Sequence, residues 1–159
     1  MRQPPSERIA KDAIQAWKLV ALLWLAVPIL ITVGLFLLAY FFDFSYWLGV
    51  IALILSVIEG LITVFLIPKL RWRRWRYQVF EQEIYIQHGI LVVSRTLVPM
   101  IRVQHVDTKQ GPVLKKYGLS SLTISTAATT HEIPALLEEE ASDLRDQISE
   151  LARVEQDDV

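Results

Sequence analysis

The stretches LVALLWLAVPILITVGLFLLAYFF, residues 19–42, and LGVIALILSVIEGLITVFLI, residues 48–67, decide the architecture of this chain. The first carries no charged side chain and the second carries one, Glu59. A bilayer core about 30 Å thick is crossed by about 20 mostly apolar residues of helix. Lipid offers no partner to backbone N–H and C=O groups, so each stretch is expected to be a continuous helix. With only residues 43–47 between them, they read as a transmembrane hairpin over residues 19–68. A cleavable signal peptide fits poorly, because its apolar region is only about 7–15 residues long. The first stretch also ends in Ala39-Tyr40-Phe41-Phe42, a poor cleavage site. A buried helical pair in a soluble core would leave too little of the 159 residues to cover it.

The flanks set the orientation. Arg2, Arg8, Lys11 and Lys18 precede the first stretch; Lys69, Arg71, Arg73, Arg74 and Arg76 follow the second. The connector holds only Asp43. Lys and Arg within about 15–20 residues of a span favour the cytoplasm. The expectation is a multi-pass protein of the bacterial cell membrane with both termini cytoplasmic and a tight loop outside. Trp17, Phe44, Tyr46, Trp47, Trp72 and Trp75 fall at headgroup level, where amphipathic rings are favoured.

Composition excludes more than it suggests. Lys plus Arg number 16 against 17 Asp plus Glu, so no net charge points to nucleic acid. Cysteine is absent, which excludes disulfides and thiolate metal sites. No internal repeat or glycine-rich phosphate loop is present, and no cofactor is implied.

After the basic stretch the hydrophobic period shortens to two. Segments 76–80 and 83–87 flank Glu81-Gln82 as a first hairpin, and His88-Gly89 turns the chain into a strand over 90–98. Further strands are expected over 101–105, 121–126 and 131–134, divided by Pro99, Gly111-Pro112 and Gly118. Leu137, Ala141, Leu144, Ile148 and Leu151 form one apolar stripe of a closing helix, with Pro134 just before it. Glu138, Glu139 and Glu140 suit its positive end and Arg153 its negative end. The fold class is α+β: a cytoplasmic segment over 1–18, the hairpin (19–42 and 48–67), a small β domain over 69–154 closed by an amphipathic helix, and a frayed tail over 155–159.

Residues 98–107 (Val98-Pro99-Met100-Ile101-Arg102-Val103-Gln104-His105-Val106-Asp107) resemble a known family. Gln110-Gly111-Pro112 with Leu114, Tyr117-Gly118-Leu119, Leu122-Thr123-Ile124-Ser125-Thr126-Ala127 and Ile133-Pro134-Ala135-Leu136 continue the likeness. Together with the paired spans they resemble the YdbS-like bacterial membrane proteins that carry a bacterial pleckstrin-homology-like domain, over nearly the whole chain. The resemblance implies a strongly bent sheet or barrel of about seven strands capped by the last helix. It implies no reaction. It also implies a hetero-complex with a larger membrane protein bearing related domains.

Glu59 falls near the middle of the second span, where a charge costs at least about 2.5 kcal/mol on insertion scales. It reads either as a proton, ion or partner-helix site, or as a protonated group bonded to Thr32 or Ser56 within the hairpin. The cluster Lys69, Arg71, Arg73, Arg74 and Arg76 sets topology and attracts anionic lipid, at about 1 kcal/mol per basic residue. In pleckstrin-homology domains that grip phosphoinositides the first hairpin is basic, whereas Glu81-Gln82-Glu83 is acidic here. Alternation would put Arg102 and Gln104 on one face of a strand and His105 and Asp107 on the other, as an interaction patch or a hydrogen-bonded strand edge. His88, His105 and His131 lie far apart in sequence, and no nucleophile elbow surrounds Ser94. The expected function is a non-enzymatic, membrane-anchored interaction module. The alternatives are an oligomeric transport assembly using Glu59, or a sensor of the lipid surface.

Overall fold

The computed structural model describes residues 3–43 and 45–157, so Arg2, Phe44, Asp158 and Val159 lie outside the described residues. It divides into a helical unit, Trp17–Lys69, and a β unit made of residues 3–16 and 70–157.

Two helices long and apolar enough to cross a membrane, Ala13–Phe42 and Tyr46–Arg74, run through the helical unit, and their ends at Ala13–Ala16 and Leu70–Arg74 belong to the β unit. The first comprises α1 (Ala13–Trp24) and α2 (Ala26–Phe42), with a break at Leu25. Pro28 has no N–H for the Trp24 carbonyl and its ring crowds that turn, which accounts for the break. Asp43 ends α2 with φ 51°, a left-handed cap. The second comprises α3 (Tyr46–Leu61), a π-helical turn over Ile62–Leu66 and α4 (Ile67–Arg74). The π-helical turn stops just short of Pro68, another residue without an N–H. Small residues make the seam between α2 and α3. A Cβ placed on Gly49 would come within 2.9 Å of the Phe36 ring, and one on Gly60 within 3.1 Å of Leu25. Such residues let apolar helices approach where no hydrophobic force drives them together. Only 6% and 17% of the two apolar windows are buried, so these are not the core helices of a soluble protein.

The β unit holds seven strands in two antiparallel sheets. One has the order β1 (Glu7–Arg8), β2 (Arg76–Val79), β3 (Glu83–His88), β4 (Ser94–Pro99). The other runs β5 (Val103–Lys109), β6 (Leu119–Thr126), β7 (Thr130–Leu137). A short helix α5 (Pro112–Lys116) joins β5 to β6, and α6 (Glu138–Asp157) closes the chain. Tyr77, Ile84, Ile86, Val98, Met100, Leu122, Ile124, Ile133 and Ile148 are fully buried and form the core. Helix α6 packs on β5, β6, β7 and the 3-10 turn Met100–Arg102.

Five local expectations change. The strand expected over 101–105 begins only at Val103, after the 3-10 turn, and runs on to Lys109. The N-terminal segment is part of the β unit: Glu7 pairs with Tyr77 and Arg8 with Arg76, and the Ala10 N–H donates to the Ala135 carbonyl at 3.1 Å. Pro5, Ile9, Ala13 and Ala16 are buried. Residues 90–93 form a turn, and β4 starts only at Ser94. Pro134 and Leu137 belong to β7, not to the approach and first turn of the helix. An edge strand tolerates proline because its outer N–H has no ladder partner to lose. The buried stripe of α6 is Ala141, Leu144, Ile148 and Ala152. That helix runs on to Asp157, so Arg153 lies before its last turn.

Candidate functional site

The basic junction is built by the last helical turns before the sheet. Lys69, Arg71, Arg73 and Arg74 are exposed on α4, and Arg76 opens β2 half-buried, donating to the Pro5 carbonyl at 3.4 Å. The tryptophans among them do more than mark a lipid level. Trp72 Nε1 donates to the Ile9 carbonyl at 3.0 Å, and the Arg8 guanidinium lies 5.4 Å from the centre of its ring. Trp75 is buried and stacks on His88, with ring centres 5.3 Å apart. An indole has one donor and a large apolar face, so both rings are used to fasten the N-terminal segment and β3 to the end of α4. Tyr46 and Trp47 stand exposed at the start of α3.

Glu59 is exposed on the surface of the helical unit. Thr32 and Ser56 do not serve it. Their hydroxyls stand 3.2 Å apart across the seam, and each also reaches a carbonyl four residues back, Pro28 and Ala52. No hydrogen bond to the Glu59 carboxylate occurs among the described residues; its backbone carbonyl accepts from Thr63 Oγ1 at 2.8 Å. The expected bond of Glu59 to Thr32 or Ser56 within the hairpin is therefore corrected: those hydroxyls satisfy each other and nearby carbonyls, and Glu59 stands exposed. A π-helical turn follows three residues later, a feature frequent at functional positions.

The patch on β5 is split. A bulge between Val103 and His105 inserts Gln104 without a cross-strand partner, so simple alternation from Arg102 does not hold. Arg102 and Gln104 line a cleft of about 640 Å³ with Leu97, Ile101, Thr129 and His131. His105 and Asp107 lie exposed opposite Ser125 and Thr123, away from that cleft. The cleft lies between β4 on one side and the turn joining β6 to β7 on the other, with Ile101, Arg102 and Gln104 along its floor. Sequence reasoning missed His131, Leu97 and Thr129 as neighbours of the patch, because only the crossing from one sheet to the other joins them.

Titration adds one feature. Tyr77 O–H donates to Glu140 Oε1 at 2.7 Å, tying β2 to α6. Burial first, then the carboxylates of Glu140 and Glu7, push its phenol far above the usual tyrosine range. Among the described residues no three His, Asp or Glu side chains stand close enough to hold a metal. The turn Glu81-Gln82-Glu83 borders an open groove with Phe80, Gln147 and Leu151, and its charge opposes anionic headgroups.

The family model described as "Bacterial PH domain" matches residues 19–152. The chain is 51% identical over 159 residues, 100% of both chains, to "UPF0699 transmembrane protein YdbS" of Bacillus subtilis (strain 168). It is 27% identical over 84 residues to "UPF0699 transmembrane protein YdbT" of the same organism, which is 52% of this chain and 17% of YdbT. No solved structure matches.

Proposed function

As a chain that belongs to the bacterial PH domain family, among the UPF0699 transmembrane proteins, this protein is, we propose, a membrane-anchored, non-enzymatic interaction module. Its hairpin crosses the bacterial cell membrane twice and holds the β unit at the inner face. Two arguments support the topology. Strand β1 precedes the hairpin and β2 follows it, so their pairing requires both ends on one side of the bilayer and an even number of crossings. The basic residues at both flanks choose the cytoplasmic side.

One observation carries the partner. Glu59 faces outward from the hairpin near mid-span, and the hydroxyls able to satisfy it are engaged elsewhere. An intramembrane carboxyl without a donor is costly, so a donor from another chain is the economical solution. The candidate is a larger membrane protein with related domains, because the region shared with YdbT is only 17% of that protein. The cleft at Arg102 and Gln104 is the second contact, offering a partner segment a lining that mixes polar and apolar side chains. Anchoring makes weak contacts sufficient, since confinement raises effective concentration.

Purification in mild detergent tests this reading. The wild-type protein is expected to bring down a stoichiometric larger membrane protein, Glu59→Gln to retain it, and Glu59→Leu to lose most of it. Recovery of the monomer alone under several conditions overturns the proposal. The same variants address an ion route through Glu59: full phenotype with both excludes that alternative.

A further inference from the structure

The most exposed apolar side chains of the β unit sit together at one turn. Leu91 is 96% exposed and Val92 81%, at the apex between β3 and β4. The turn is a formed structure. Gly89 takes φ 109°, and a Cβ there would lie 1.9 Å from the Val92 carbonyl oxygen, so the chain folds back on itself tightly. Below the apex His88 stacks on Trp75, and the buried Gln87 donates to the Arg74 carbonyl at 3.5 Å. Arg95 Nε donates back to Gln87 Oε1 at 3.0 Å. The base of the turn therefore rests on the last residues of the second apolar helix.

We propose that this turn is a membrane-inserting tip, which places Leu91 and Val92 at the headgroup–acyl boundary of the leaflet the hairpin enters. The proposal rests on the spanning reading of the hairpin. Two further observations favour lipid as the occupant. The tip adjoins the basic and aromatic junction of the same chain, where a bilayer surface is already required. Exposed arginines, Arg74 and Arg95, stand at its base where anionic headgroups would meet them. The acidic turn Glu81-Gln82-Glu83 lies at the opposite end of β3, so one end of that hairpin suits lipid and the other repels it. The apolar contact makes lipid engagement by the β unit partly independent of salt, unlike attraction through the arginines alone.

The absence of cysteine allows single-site labelling of the full chain. Leu91→Cys, Gln82→Cys and Leu55→Cys would each carry an environment-sensitive fluorophore in nanodiscs containing anionic lipid. Quenching would be read from nitroxide-bearing lipid and from aqueous iodide. The expected result is quenching of the Leu91 site by headgroup-level nitroxide with protection from iodide, at both low and high salt. The Gln82 site should be open to iodide, and the Leu55 site quenched by acyl-chain nitroxide. Iodide access at Leu91 overturns the proposal. Protection from both quenchers also overturns it, because protein then covers the tip. If Leu91 fails while Leu55 is lipid-quenched, only the tip is lost. An unquenched Leu55 overturns the spanning reading and this proposal with it.

Discussion

Tyr77 shows how one polar contact sets both stability and pH response. Its hydroxyl joins β2 to Glu140 on α6 while its ring is fully buried. Tyr77→Phe keeps the ring and removes one hydrogen bond to a carboxylate, so a loss of about 1.5–3 kcal/mol is expected from thermal or denaturant unfolding. The pH dependence has a definite sign. The folded-state pKa lies above the unfolded value of about 10, so the neutral phenol favours the fold. Its contribution is complete below about pH 10 and falls as pH rises above it, when the unfolded chain ionises first. Ultraviolet titration of tyrosinate should show one fewer tyrosine ionising together with unfolding in Tyr77→Phe than in the wild type. This tie was not readable from sequence, because Tyr77 and Glu140 are 63 positions apart.

Helix α6 packs across the second sheet and the turn that leads into it. It touches β5, β6, β7 and the turn between the sheets, and Ile148 has no exposure. Ile148→Ala is expected to cost about 2–5 kcal/mol. Val154→Ala, on an exposed site of the same helix, should change stability by less than about 0.5 kcal/mol. Paired unfolding curves check the contrast. The helix itself was legible because Ala141, Leu144 and Ile148 repeat at helical spacing. Its start was not: Leu137 continues the same stripe, and only the ladder from Leu119 to Leu137 assigns it to β7. The strands were legible in the same partial way, since period two locates β2, β3 and β6 but runs straight through the turn at 90–93. The interaction patch was legible as residues and not as a surface, because the bulge at Gln104 breaks the alternation that sequence reading relies on.

For the whole molecule, the decisive feature is that the two apolar helices fall in the chain between the first two strands of the β unit. The hairpin was plain from composition, whereas β1 is two residues long and its partner lies beyond both apolar helices. Removing residues 1–10 would take away Pro5, Ile9 and the pairing with β2. Burial of each apolar side chain is worth about 1.5–3 kcal/mol, so a lower unfolding temperature and faster proteolysis near Arg76 are expected. Cutting the chain at the turn near Asp43 should leave two fragments that co-elute, held by Trp72 on Ile9 and by β1 on β2. The same order of elements puts a delay into biosynthesis. Strand β1 leaves the ribosome first, yet its partner follows about 70 residues later, roughly 3–14 s at bacterial elongation rates. Throughout that interval both apolar helices must leave the ribosome while β1 waits for its partner. The residues that wait, Gln3-Pro4-Pro5-Ser6-Glu7-Arg8, are polar and proline-rich, a composition ill-suited to premature self-association.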